Sequence, residues 1–153
     1  MFGMMKGERV AVGGHRAYDA ARIMADGVRG PRTDINALAT RDEHSIAVMV
    51  WNYHDDDVID AGSPVELRIA GIPAGQVRLR HFRVDNDTSN SYTAWKRMGK
   101  PAHPTPAQIA ELRKASELAQ VGATSTLKTR NGSALVKMQL PRQAVSLIIL
   151  NYK

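Results

Sequence analysis

The stretch that decides the fold is residues 45–53, which read Ser-Ile-Ala-Val-Met-Val-Trp-Asn-Tyr. In an extended chain, alternate side chains share one face of the strand. Both alternating sets are apolar: Ile46, Val48 and Val50 on one face, and Ala47, Met49 and Trp51 on the other. A strand with two apolar faces is typical of the centre of a sheet that is covered on both sides. We therefore expect Trp51 to belong to the core rather than to a sugar-binding surface.

Three further stretches surround this strand. Val145–Asn151 is also apolar on both faces and predicts a second central strand, while 65–69 and 134–140 alternate apolar and polar residues, as half-buried strands do. Asn131-Gly132 is typical of a two-residue hairpin turn before the 134–140 strand. In Gln76–Val84, Val77 and Leu79 are out of phase with Phe82 and Val84, which predicts a bulge near His81.

Helical patterns are short. Apolar residues at helical spacing predict a short helix over 18–24, and Tyr92, Trp95 and Met98 have the spacing of one helical face. Thr105, Pro106 and Gln108 together make a strong helix start, because Thr is a good N-cap, Pro suits the first turn and Gln completes a capping box.

These patterns predict five or six strands at regular spacing and no alternation of strands with helices. A mostly β fold follows, an antiparallel β-sandwich with a short helical insertion at about 90–120. We assign 34–153 to this sandwich and 1–33, which has little strand periodicity, to a separate connecting segment.

Composition narrows the class of protein. The chain has 153 residues, of which 43% are hydrophobic and 24% charged, values ordinary for one soluble domain. It has no cysteine, which excludes disulfides and thiolate metal sites. No apolar run approaches the roughly 20 residues needed to cross a bilayer, and the first residues do not form a signal peptide. We expect a cytoplasmic protein without a membrane partner.

The net charge of +6 raises the question of nucleic-acid binding. Residues 100–153 contain eight basic and two acidic residues, but the basic residues are scattered singly and no aromatic residues alternate with them to stack on bases. We interpret them as a solvated surface and expect no nucleic-acid partner.

Motifs for phosphate binding, nucleophilic serine and zinc hydrolysis are missing from the sequence. His54, followed by Asp55-Asp56-Asp57, suggests a metal site, but its spacing does not match a calcium loop, and we prefer a solvated turn. We expect no metal and no cofactor.

Several motifs together are too particular to be generic. They are Phe82-Arg-Val-Asp85, Ser89-Asn-Ser-Tyr-Thr-Ala-Trp-Lys-Arg-Met-Gly99, Pro104-Thr-Pro-Ala-Gln-Ile-Ala-Glu-Leu112 and Leu140-Pro-Arg-Gln-Ala-Val-Ser-Leu147. With the start, Phe2–Val12, and the Val-Trp-Asn-Tyr ending at Tyr53, they resemble the C-terminal accessory β-rich domain of glycoside hydrolase family 39 β-xylosidases. The resemblance covers nearly the whole chain.

The resemblance implies that catalysis belongs to a (β/α)₈ barrel whose two glutamates, an acid/base and a nucleophile, hydrolyse β-xylosides with retention. A barrel needs about 250 residues, more than this chain has. The family's acid/base follows an asparagine, whereas none of the five glutamates here does. We therefore expect no catalytic residue and an inactive fragment. The segment 1–33 would connect the barrel to the sandwich.

Two functions follow from the resemblance. In the first, the sandwich packs against the barrel and supports it, and the apolar residues Phe2, Met4 and Met5 make the isolated chain self-associate. In the second, Asn90, Tyr92 and Trp95 on the irregular insertion bind xylo-oligosaccharides. In a purely structural alternative, Tyr92 and Trp95 only anchor the insertion to the sandwich.

Overall fold

The computed structural model describes residues 1–14, 17–56, 61–73 and 75–152. Asp57, part of the acidic run, lies outside the described residues. The described residues form nine strands and three α-helices. The strands are β1 (Glu8–Val10), β2 (Asp34–Arg41), β3 (Ser45–Tyr53), β4 (Ser63–Ala70), β5 (Gln76–Val84), β6 (Ala119–Gln120), β7 (Ser125–Lys128), β8 (Ser133–Leu140) and β9 (Val145–Asn151). The helices are α1 (Ala20–Asp26), α2 (Ser91–Arg97) and α3 (Pro106–Ala115).

Seven strands form one antiparallel sheet in the order β1-β2-β3-β9-β5-β6, with β7 also paired to β5. The two strands with apolar residues on both faces, β3 and β9, are neighbours at its centre, as their sequences predict. Strand β1 extends the sheet by pairing with β2, so part of the segment 1–33 is built into the sandwich.

The second sheet consists of β4 and β8, whose registers run from Ser63 opposite Leu140 to Ala70 opposite Ser133. It covers one face of the larger sheet, which we call the inner face. The core between the two sheets includes Ile46, Val48, Ile69, Val136, Ile148 and Leu150, all buried. The predicted antiparallel β-sandwich is therefore confirmed.

The opposite side of the large sheet, the outer face, has its own apolar cluster. Ala47, Met49, Leu147 and Ile149 are buried there. Part of their cover comes from the chain's start, where a 3-10 turn at Phe2–Met4 places Met1, Met4 and Met5 against this cluster. Phe2 itself is 69% exposed.

The predicted bulge near His81 is wrong. β5 pairs with β9 without a break, from Arg78 opposite Asn151 to Val84 opposite Val145. The change of phase instead reflects a change of face: Val77 packs in the inner core, and Phe82 packs in the outer cluster. Because both faces of β5 contact apolar layers, apolar residues can occupy either face, and the strand needs no bulge to bury them.

The helices follow the local signals. Thr105 Oγ1 accepts from the backbone N–H of Gln108 (3.3 Å), and Gln108 Oε1 accepts from that of Thr105 (2.8 Å), which completes the predicted capping box of α3. Helix α1 lies two residues later than predicted, because Asp19 caps it by accepting from the N–H of Arg22. None of the helices in the described ranges is long and apolar enough to cross a bilayer.

Candidate functional site

The insertion that carries Asn90, Tyr92 and Trp95 leaves the sheet at the end of β5. Asp85 turns the chain there, since its Oδ1 accepts from the backbone N–H groups of Asp87 (2.8 Å) and Thr88 (2.7 Å). At the other end, Ser89 Oγ accepts from the N–H of Ala119 (2.8 Å), where β6 rejoins β5. The two ends of the insertion therefore lie side by side.

Asn90 has a structural task in this arrangement. Its Oδ1 accepts from the N–H of Thr93 (3.2 Å), which caps α2, and its Nδ2 donates to the carbonyl of Asp85 (2.8 Å). An N-cap of this kind stabilises a helix by about 1 kcal/mol. Both polar ends of the Asn90 amide are thus engaged in holding the insertion.

Tyr92 and Trp95 lie together on α2. Their ring centroids are 5.6 Å apart with the planes inclined by 25°, a stacked pair. The indole Nε1 of Trp95 donates to the carbonyl of Pro101 (3.1 Å), and the Trp95 side chain is half-buried. Tyr92 is 59% exposed, and Lys96 Nζ lies 4.8 Å from its ring centroid. The structure thus brings all three predicted residues to α2 and its N-cap, where Tyr92 alone of the three is largely open to solvent.

The stretch around His54 forms a turn held by its own hydrogen bonds. The backbone N–H of Asp56 donates to His54 Nδ1 (2.9 Å), so the other ring nitrogen, Nε2, donates to the carbonyl of Gly30 (2.9 Å). Asp55 accepts from the hydroxyl of Tyr53 (2.6 Å) and the N–H of Val28 (2.8 Å). Within the described residues, no group of three or more potential ligands is arranged to hold a metal.

The prediction that Trp51 belongs to the core is wrong. Trp51 is only half-buried on the outer face, and it does not belong to the cluster against which Met1, Met4 and Met5 pack. Its Nε1 donates to Asp34 Oδ2 (3.4 Å), and together with Tyr53 it lines a hollow of about 500 Å³. The signal was present in the sequence, because Trp51 and Tyr53 share a face at the end of their strand, where cover is thinnest.

A polar cluster that sequence reasoning missed lies on the inner face. His81 Nε2 is 2.9 Å from Ser146 Oγ, which also accepts from Arg83 Nε (3.0 Å). Burial, with a smaller contribution from the charge of Arg83, lowers the pKa of His81 to about 4. Ser146 is 0% exposed, and Arg83 Nη2 also donates to the carbonyl of Gln139 on β8 (2.9 Å), so this cluster links the large sheet to the small one.

A profile of the glycosyl hydrolases family 39 matches residues 15–131, about three quarters of the chain. The chain belongs to glycosyl hydrolase family 39. The predicted family resemblance is thereby confirmed, and the protein is a glycoside hydrolase-related domain.

Solved structures agree on the fold. The family 39 enzyme from Xanthomonas axonopodis pv. citri superposes with a TM-score of 0.67 at 19% identity, over 77% of this chain and 26% of its own. A monomeric β-xylosidase from Caulobacter crescentus CB15 superposes with a TM-score of 0.64 at 23% identity, over 82% and 28%. A bacterial orthologue of human α-L-iduronidase gives 0.61 at 21% identity, over 79% and 22%. The chain therefore spans about a quarter of the length of these relatives.

The glutamates of this family 39 chain are dispersed. All five fall in the described part of the chain, are exposed, and lie on β1, the β2–β3 turn, β4, α3 and the loop after α3. One of them, Glu66, forms an ion pair with Lys137 across the small sheet (3.0 Å). A retaining glycosidase needs two carboxyl groups about 5–5.5 Å apart, one of them with a raised pKa.

Proposed function

We propose that this chain is the accessory β-sandwich of a family 39 β-xylosidase, and that it supports a catalytic barrel formed by another part of that enzyme. The observation that carries the proposal is the partial coverage: the sandwich matches less than a third of the Xanthomonas and Caulobacter chains. In the proposal, the remaining length of such an enzyme provides the carboxylate pair, which the dispersed glutamates of this chain do not.

The outer face supports a docking role. Met1, Met4 and Met5 pack on the buried centre of this face, while Phe2 projects from the same turn with 69% of its surface exposed. Contiguous exposed apolar patches mark surfaces that contact other proteins, and an exposed Phe2 beside this apolar layer would belong to such a patch. We infer that Phe2 contacts the barrel in the parent enzyme, and that it is adhesive when the barrel is missing.

The first test is hydrolysis of an aryl β-xyloside by the purified chain. We expect no turnover above the buffer rate. Turnover that survives simultaneous replacement of all five glutamates by glutamine would reveal a contaminating enzyme, whereas turnover lost in that variant would overturn the proposal.

The second test is sedimentation velocity over a range of concentrations. We expect the chain to self-associate and Phe2→Ser to shift it towards the monomer. Met24→Ser is the control, because Met24 is an even more exposed apolar residue (86%) on α1. A strictly monomeric profile, or an equal effect of both variants, would count against the docking role.

Carbohydrate binding by α2 is a second candidate, which the exposed ring of Tyr92 favours. Trp95→Ala with xylo-oligosaccharide titration discriminates the two. Lost affinity in a folded variant supports binding, and lost folding supports the anchoring role to which the Trp95–Pro101 hydrogen bond points.

A further inference from the structure

A hollow of about 500 Å³ opens on the outer face where β2 and β9 begin beside the end of β3. Its lining includes Asp34 from β2, Trp51 and Tyr53 from β3, Val145 from β9 and Gln143 before β9. We propose that this hollow binds a saccharide, with the rings of Trp51 and Tyr53 as the platform for a pyranose.

The two rings have the placement that stacking requires. Trp51 and Tyr53 are two residues apart on one strand, so their side chains emerge on the same face about 7 Å apart. Trp51 is half-buried and Tyr53 is 45% exposed. The electron-rich face of an aromatic ring attracts the slightly positive C–H groups that form the flat side of a pyranose.

Hydrogen bonds hold both rings in place before any ligand arrives. Trp51 Nε1 donates to Asp34 Oδ2 (3.4 Å), and the Tyr53 hydroxyl donates to Asp55 Oδ1 (2.6 Å). Asp34 is itself buried and accepts from the N–H of Tyr18 (2.8 Å), so it cannot swing away without losing that bond. Because the polar tips of both rings are already hydrogen-bonded, little side-chain conformational entropy is lost when a ligand binds.

The rim adds the few polar groups that orient a sugar. Gln143 is exposed, and its Nε2 donates to the carbonyls of His54 (3.3 Å) and Asp56 (3.4 Å), which fixes the amide beside the rings. Val145 lies opposite Trp51 in the sheet and completes an apolar floor. An apolar, aromatic floor with a small number of placed polar groups is the usual composition of a small-molecule site.

The small open area favours a saccharide over a second protein. Met1, Met4 and Met5 already cover the centre of the outer face, so what stays open is a shallow hollow at one end of the sheet. The proposal does not depend on the supporting role described above, since a bound sugar needs no barrel.

The test is a titration of the isotope-labelled 153-residue chain with xylotetraose, followed by NMR. The chain has two tryptophans, whose indole N–H signals are assigned by Trp51→Phe and Trp95→Phe. We expect the Trp51 signal to shift with saturation and the Trp95 signal to stay. Tyr53→Ser should weaken binding at least tenfold, and the control Met24→Ser, which changes an exposed residue on α1, should not.

Three results would overturn the proposal. They are the lack of any shift at Trp51 up to about 20 mM xylotetraose, an affinity that Tyr92→Ser reduces and Tyr53→Ser leaves intact, and signals that depend on protein concentration instead of sugar. The thermal melting of Tyr53→Ser, measured in parallel, should show a folded chain with a modestly lower melting temperature, because nearly half of this side chain is exposed but its hydrogen bond to Asp55 is lost.

Discussion

The imidazole Nε2 of His81 lies 2.9 Å from the hydroxyl oxygen of Ser146, between the two sheets. Burial lowers the pKa of His81 to about 4, against about 6.5 in the unfolded chain. Between these values the unfolded chain binds the proton and the folded chain does not. The contribution of His81 to stability is therefore full above pH 6.5 and declines as the pH falls to about 4.

Chemical denaturation at pH 7 and pH 4 measures this effect. We expect the parent chain to lose about 1–3 kcal/mol more than His81→Gln over that interval. The subtraction removes the contribution of other groups that titrate in the same range. Equal losses in the two proteins would contradict the assignment to His81.

Gly7 joins the first residues to the sheet. Its φ is +80°, and a Cβ there would overlap the carbonyl of Arg41 on β2. We expect Gly7→Ala to lower the free energy of unfolding by about 1–3 kcal/mol, because a strained backbone and a displaced β1 act together. Gly3→Ala is the control, since nothing lies within 4 Å of its Cβ position, and it should change stability by less than about 0.5 kcal/mol.

Trp95 and Tyr92 should differ in their effect on stability. Trp95→Ala removes the hydrogen bond to Pro101 and a half-buried ring, so we expect a loss of about 1–3 kcal/mol. Tyr92→Ala removes a ring that is 59% exposed and should cost less than about 1 kcal/mol. Urea unfolding of both variants measures the two losses in the free energy of unfolding. A larger loss in Tyr92→Ala than in Trp95→Ala would contradict an anchoring role for Trp95.

The Tyr53–Asp55 hydrogen bond should be visible in a tyrosine titration. The bond to the Asp55 carboxylate raises the pKa of Tyr53 and lowers the pKa of Asp55. Asp55→Asn should therefore return the Tyr53 pKa towards its ordinary value near 10. Carbon-13 NMR of the labelled tyrosine ring follows this, with Asp56→Asn as the control at the neighbouring carboxylate. An unchanged Tyr53 pKa in Asp55→Asn would contradict the contact.

Much of the fold was predictable because its signals are local. The two apolar faces of β3 and β9 predicted their central places, and Asn131 and Gly132, with φ of 49° and 67°, form the predicted hairpin turn. Strands β6 and β7 were missed, since two and four residues are too short to show alternation. They exist because the edge of β5 is available to pair with them.

The candidate site was less predictable, since the exposure of an aromatic residue depends on distant segments. Trp51 lies on the same strand face as the buried Met49, yet Met1, Met4 and Met5 pack against the cluster that contains Met49 and does not include Trp51. In the same way, Trp95 has polar neighbours in sequence, but Pro101 folds back to accept its N–H. Neither the packing on Met49 nor the Trp95–Pro101 hydrogen bond produces a periodic pattern in the sequence.

Ser89 and Ala119 lie close together where the helical insertion leaves and rejoins the sheet. This arrangement affects how the insertion can change during evolution. Two antiparallel strands bracket the excursion, with Arg83 opposite Ala119 and Phe82 opposite Gln120. A segment whose ends already meet can be lengthened, shortened or exchanged with only a slow, logarithmic entropic penalty. The insertion can therefore differ in length and sequence among related domains. The strands that flank it keep their positions, so the sheets of such domains still superpose.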